Sequence, residues 1–355
     1  MNILIVKLSA IGDVIHTLPA LNAIRKVYPE ARITWLVEED AAPLVQGHQA
    51  LNRVIISKRK RWLKTLRRLA LLNTIKEVYG FIKELRDTQY DMIFDFQALL
   101  KSGILIALSK GRRKIGFGKG LEHMEHSYVF LNERIPAVDM EIHALTRGMM
   151  LLNAVGIPAN EVEYKLPVTN DDRERIDEIM EKHGIYDEKP LIAINPVAKW
   201  ETKLWPKERF ARLADTIIIK YNAKILFTGS PEDRPIILDI MSAMNNQAMN
   251  FAGHTTLKML AALYERTALV VSTDTGPMHL AVAVGTPVVA LFGPTAPWRT
   301  GPYGTGHQVI TAGRGCSPCF KRRCETIECM KQITVDQVMN GIRNLAIPNL
   351  LFDDH

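Results

Sequence analysis

The sequence predicts an α/β chain of two domains, each a parallel sheet covered by helices, with loops of both domains meeting at a ligand cleft. Three observations predict this. Strand-like apolar runs alternate with helical patterns, the order that builds parallel sheets. The alternation then restarts in the second half. Between the halves, "GIPANEVEYKLPVTNDD" from Gly156 to Asp172 is polar, contains two prolines and lacks helical periodicity. The expected domains are therefore 1–165 and 166–355, with the last helix free to pack back on the first domain. A chain of 355 residues that is 47% apolar can bury two such cores.

Taken in order, "NILIVKL" opens as a buried strand that breaks at Ser9, Ala10, Ile11 and Gly12 into a helical pattern. This is the strand-to-helix turn on which α/β proteins seat anions. A single glycine excludes both G-x-G-x-x-G and a Walker loop, and Asp13 in the crook opposes phosphate binding. "RITWLVE" and "RVIIS" follow as strands. "SKRKRWLKTLRR", Ser57 to Arg68, then carries seven basic residues and no acid. It runs on into Trp62, Leu66, Leu69, Ile75, Val78, Ile82 and Leu85 at near-helical spacing, a basic amphipathic helix. Such a helix is either a solvated face over a core stripe or a seat for an anionic surface. "DMIFDFQ" is the next strand, and "KGRRK" at Lys110 to Lys114 adds four basic residues. The second half brings the strands "PLIAINP", "KILFTG", "ALVVSTD" and "TPVVALFG".

Three loops of the second half carry polar groups to strand ends. Ser272, Thr273, Asp274, Thr275 and Gly276 lead into a helix begun by Pro277, whose missing N–H is harmless there. Its free amides make an anion site, with Thr275 and Gly276 as further donors, unless Thr275 and Asp274 merely cap the helix. His279 is either a buried histidine or a phosphate donor. In "INPVAKWETKLWPKERF", Thr202 and Lys203 precede a helix begun at Pro206, and the ammonium can neutralise a diphosphate. "FTGSPED" offers Glu232 and Asp233 after the second strand, where an acid accepts from ribose hydroxyls or simply faces solvent. The second half thus reads as a nucleotide-diphosphate site. Asp13 then reads as the general base of an inverting sugar transfer, with His16 one turn on as base or partner.

The net charge of +7 and pI near 9.1 place a basic face on the first half. No RNP, zinc-finger or basic-zipper pattern accompanies it, so nucleic acid is not an expected partner. The longest apolar segment, Leu280 to Gly293, is broken by glycine and proline, so no membrane span is expected. The chain opens directly on a strand without a basic leader, and a cytoplasmic location is expected.

"ILIVKLSAIGDVIHTLPAL", "WLVEED", "KRWLK", "DFQALLKSG", "KLWP" and "STDTGPMHLAVAVGTPVVALFGPT" together resemble the ADP-heptose heptosyltransferases of lipopolysaccharide assembly. The likeness spans nearly the whole chain. It implies a glycosyltransferase-B architecture of two Rossmann-like domains, with no catalytic metal or other cofactor. It implies Asp13 as catalytic base with Lys203 assisting the leaving group. Thr202, Lys203, Glu232, Asp233, Asp274, Thr275, Gly276 and His279 would hold the ADP-heptose donor. Ser9, Gly12, His16, Lys60, Arg61, Lys64, Gln97 and Lys101 would meet the acceptor, an anionic Kdo-bearing lipid A at the inner face of the cytoplasmic membrane. "EED", "RW" and "QALLKS" are most similar to the first-heptose enzyme, whereas "CSPCFKRRCETIEC" is more similar to other members, second-heptose enzymes among them. A sugar-nucleotide epimerase of the same architecture and a non-catalytic basic binding module are the rival classes.

Cys316, Cys319, Cys324 and Cys329 are all the cysteines in the chain. Their spacing and expected compartment argue against structural disulfides. A tetrahedral zinc site, reduced thiols and a redox-sensitive pair all remain open.

Overall fold

The computed structural model describes residues 1–66, 71–121, 125–185 and 189–350. Cα proximity divides the chain into two units, Met1–Pro167 and Val168–His355.

In the first unit, β1 (Asn2–Val6), β2 (Arg32–Glu38), β3 (Arg53–Ser57), β4 (Gln89–Asp95), β5 (Lys110–Phe117) and β6 (Glu133–Ile135) form one sheet. Their order is β3-β2-β1-β4-β5-β6, and every pairing is parallel. The helices are α1 (Ile11–Val27), α2 (Arg59–Leu66), α3 (Leu71–Leu85), α4 (Leu100–Leu108) and α5 (Ala144–Asn153). Because helices cover both faces, β1 reads as a continuous apolar run. Leu4, Val6, Leu36, Ile55 and Ile93 of the strands pack with Trp62, Phe81, Leu85 and Ile106 of the helices.

The basic helix differs from the expectation. It is two helices, and Ile75, placed on its core stripe by spacing, is 59% exposed. Phe81 takes the core position instead, its ring 5.2 Å from that of Trp62. Arg67, Arg68, Leu69 and the Leu66 side chain lie outside the described residues.

The second unit repeats the plan with β7 (Leu191–Asn195), β8 (Lys224–Phe227), β9 (Met249–Asn250), β10 (Leu269–Thr273), β11 (Val288–Leu291) and β12 (His307–Ile310). Their order is β12-β11-β10-β7-β8-β9, again parallel throughout. Read from the other edge, this is the same doubly wound order as in the first unit. The helices are α6 (Asn170–Lys182), α7 (Lys207–Tyr221), α8 (Arg234–Ser242), α9 (Leu257–Glu265), α10 (Gly276–Ala283), α11 (Pro297–Thr300), α12 (Glu328–Lys331) and α13 (Val335–Asn344). Helix α13 packs on β11, β12 and α7 of its own unit through Val338, Met339 and Ile342.

In a doubly wound sheet the chain leaves in opposite directions on either side of one strand pair, opening a crevice beyond the carboxyl ends of those strands. That pair is β1 and β4 in the first unit and β7 and β10 in the second. Both predicted sites lie at these ends.

Candidate functional site

In the first unit, the turn after β4 is built by Asp95, which is buried and accepts from the Gln97 and Ala98 amides at 3.1 and 3.0 Å. Burial raises its pKa, while those amides, Ser102 and Lys7 oppose the rise. The turn aims Gln97 Oε1 at the turn after β1, where it accepts from the Leu8 and Ser9 amides at 2.9 and 3.0 Å. Two loops far apart in sequence are thus clamped by one side chain, and Asp13 is held in the crook. Its carboxylate accepts from the Ala10 amide at 3.0 Å, at the N-terminus of α1, where the aligned peptide dipoles favour negative charge.

Asp13 lines a cavity of about 240 Å³ within this unit, together with Lys7, His16, Gln97 and Arg147. Burial pushes the Lys7 ammonium below the usual lysine range, and the Asp13 and Asp95 carboxylates pull it back. Its Nζ donates to the Phe96 carbonyl at 2.8 Å. His16 is buried, its ring 4.9 Å from that of His143, the residue that caps α5. Gly12 is buried in the same turn.

Lys101 Nζ donates to Ser9 Oγ at 2.7 Å and lies 3.3 Å from Glu38 Oε1. Glu38, at the end of β2, is a buried carboxylate that gathers three cations: Lys101, Arg59 at 3.0 Å and Lys60 at 3.7 Å. Ser9, Gly12, Asp13, His16, Gln97 and Lys101 therefore belong to one neighbourhood, which Lys60 joins through Glu38. Arg61 does not. It pairs with Glu77 of α3 at 3.3 Å, beside the Trp62 Nε1 bond to the same carboxylate, and acts as a strut between α2 and α3. Lys64 is exposed on α2 with no described partner.

Sequence reading missed Lys7, Glu38 and Arg147. Lys7 and Glu38 end the apolar runs of β1 and β2, the positions that face a switch-point crevice. Arg147 had no such signal.

In the second unit, Lys203 Nζ meets Asp274 Oδ2 at 2.6 Å, and Thr295 Oγ1 donates to the same oxygen at 2.6 Å. Asp274 ends the turn after β10, and Lys203 ends the loop after β7. Thr275 occupies the N-cap of α10 in extended conformation, yet its side chain makes no capping bond. The capping alternative for Thr275 is thereby set aside; Pro277 has no N–H and the Met278 amide donates to the Thr275 carbonyl, so the Gly276 amide is the one at the start of α10 left to an anion. His279 is buried one turn in.

Two predicted donor residues have other duties. Thr202 is buried, and its hydroxyl donates to the Lys321 carbonyl at 2.8 Å, so it ties down a neighbouring segment. Asp233 closes its own turn by accepting from the Ser230 amide and hydroxyl at 2.8 and 2.7 Å. Glu232 beside it is exposed and unpaired among the described residues.

Among the described residues no group of three or more His, Cys, Asp or Glu is arranged to hold a metal ion. None of the four cysteines is in a disulfide, and Cys316, Cys319 and Cys324 lie near enough to Cys329 to help burial push its thiol up.

Comparison with known proteins follows this geometry. The family model for glycosyltransferase family 9 (heptosyltransferase) matches residues 78–329. The lipopolysaccharide core heptosyltransferase OpsX of Haemophilus influenzae is 30% identical over 86% of this chain and 83% of its own. Lipopolysaccharide heptosyltransferase 1 of Pseudomonas aeruginosa is 30% identical over 91% of this chain and 87% of its own. In structure, the E. coli heptosyltransferase WaaC with ADP-2-deoxy-2-fluoro heptose superposes with a TM-score of 0.76 at 24% identity, covering 98% of this chain and all of that one.

Proposed function

The chain belongs to glycosyltransferase family 9, the heptosyltransferases, and on that premise we propose that it transfers heptose from ADP-heptose to the Kdo region of lipid A, with inversion at the anomeric carbon. The observation that carries this reading is the placement of Asp13: a carboxylate in the wall of a cavity that also presents Lys7 and Arg147. Those cations suit an acceptor sugar that carries a carboxylate, while Asp13 is the group able to take a proton from its hydroxyl.

As the acceptor oxygen attacks the anomeric carbon, the bond from that carbon to the diphosphate oxygen breaks, and the hydroxyl proton passes to Asp13. The hydroxyl becomes acidic only as the new bond forms. A carboxylate is therefore adequate as the base late in the step. Charge developing on the leaving diphosphate falls to Lys203, to the Gly276 amide and to Thr275. Asp274 orients the Lys203 ammonium, and Glu232 accepts from the ribose. The donor identity is supported by a structural neighbour whose ligand is an ADP-heptose analogue.

No helix among the described residues is long and apolar enough to cross a membrane. Peripheral docking is supported by α2 and α3, where exposed Leu63, Leu72, Ile75 and Tyr79 lie among basic side chains. The test is incubation with ADP-heptose, with and without Kdo-bearing lipid A, following ADP release and the lipid product. ADP release that requires the acceptor and yields a heptosylated lipid supports the reading. Release or isomerisation without acceptor contradicts it, and transfer only to an already heptosylated acceptor assigns the second-heptose reaction.

A further inference from the structure

The segment bearing the cysteines is bound to the donor loops at both ends. The Cys319 and Phe320 amides donate to the Pro294 carbonyl at 3.0 and 2.8 Å, and Ser317 Oγ bonds the Gly293 carbonyl. Gly293 also lets α12 pack close to this loop, because a Cβ there would lie 2.5 Å from Met330 Sδ and 3.1 Å from Cys329 Sγ. Two residues further on, the Lys321 carbonyl accepts from Thr202. Residues 319–322 therefore form a strap from the loop after β11 to the loop after β7. These same loops supply Thr295 and Lys203 to Asp274.

The strap places two guanidinium groups. Arg322 lies over the Trp200 ring at 5.0 Å, and Lys203 Nζ lies 4.6 Å from the same ring centre, which keeps the two charges within about 10 Å of each other. Arg299, on α11 just after Thr295, lies 4.9 Å from the Phe320 ring and is only 8% exposed. Among the described residues nothing accepts a hydrogen bond from its side chain and no carboxylate pairs with it. A buried guanidinium without an anion is costly, and its five N–H groups are then available to one. Meanwhile Lys203 is already neutralised by Asp274. A sugar nucleotide brings one negative charge on each phosphate, and the departing nucleotide gains another, so the pair alone does not balance the ligand.

We infer that Arg299 and Arg322, held by the strap and by the rings of Phe320 and Trp200, are binding residues for the donor's diphosphate, completing the anion site that Lys203 and α10 begin. This rests on the proposed nucleotide-sugar donor and deepens it. The strap thus does the work of ligand recognition for the cysteine segment, which the transfer chemistry otherwise leaves without a part.

The experiment measures binding of ADP, AMP, UDP and inorganic pyrophosphate to the full chain and to Arg299→Gln, Arg299→Lys and Arg322→Gln, with thermal melts as the folding control. Each Gln variant is expected to lose about 10-fold in ADP affinity, the size of one charge-assisted hydrogen bond, while AMP changes by less than about 3-fold. Arg299→Lys should recover only part, having charge without the planar fork. Should Arg299→Gln fail to fold, the exposed Arg322 decides alone. Variants that keep the parent's ADP-to-AMP preference overturn the inference and leave the donor reading intact. A parent that prefers UDP, with variants that lose their diphosphate preference, supports the inference and overturns the ADP reading. A parent that binds neither nucleotide nor pyrophosphate overturns both.

Discussion

Glu38→Gln keeps the shape of a buried side chain while removing the charge that three cations share. The bonds to Arg59 at 3.0 Å and Lys101 at 3.3 Å change from charge-assisted to neutral. That change is worth about 1 kcal/mol each, from roughly 1.5–3 to 0.5–1.5. The Lys60 contact at 3.7 Å adds only a few tenths, because that side chain is half exposed and solvent screens the pair. Arg59 is 38% and Lys101 21% exposed, so the cations are not stranded and the full penalty for breaking a buried pair does not apply. The expected loss is about 2 kcal/mol. For a unit of this size that lowers its melting temperature by about 4 to 8 °C. Calorimetry on the full chain should resolve it as a shift of one transition, since two units need not unfold together. Turnover should fall as well, because Lys101 links Glu38 to Ser9 in the turn that seats Asp13. A variant that melts within 1 °C of the parent, the scale of roughly 0.3 kcal/mol, and turns over normally would refute the organising role of Glu38.

Lys203→Ala should weaken ADP binding and slow transfer together, and unchanged values of both would reduce the lysine to a partner of Asp274. Glu232→Gln should raise the donor KM several-fold without altering stability, whereas Asp233→Asn should lower the melting temperature and affect the donor less; the reverse pattern would return the ribose role to Asp233. Among the thiols, the amides of Ile327 and Thr326 and the Thr326 hydroxyl hold Cys324 below the usual thiol range, while burial and the neighbouring thiols push Cys329 up. The thiolate is the reactive form, so in brief iodoacetamide pulses at rising pH Cys324 should be labelled before Cys329. Peptide mapping reads the order, and equal labelling of the two at neutral pH would contradict it.

The central strands were legible because each is buried on both faces and therefore reads as an apolar run, as in "LVVST" and "ILIV". The strands that escaped notice are edge or half-exposed ones. β5 begins "KGRRK" and reads as a charge cluster, while β9 has two residues and β12 only four, "HQVI", the first two of them polar. The proposal for Asp13 has a different origin: an acid is out of place in a phosphate-type turn, so its presence called for another purpose. For Thr202 and Asp233 sequence spacing does not separate a local bond from a ligand contact, because threonine and aspartate hydrogen-bond locally as readily as they bind ligands. Arg299 was illegible because its significance lies in what surrounds it, a ring from a segment more than twenty residues away and no acid.

The proposed role of Asp13 as base for the acceptor hydroxyl stands or falls with Asp13→Asn. Asparagine keeps an oxygen able to accept from the Ala10 amide, so the turn is retained while the proton acceptor is lost. With ADP-heptose and Kdo-bearing lipid A, kcat is expected to fall by about 10² to 10⁴, with ADP affinity within about 2-fold of the parent. Transfer at near the parental rate with that variant would contradict it.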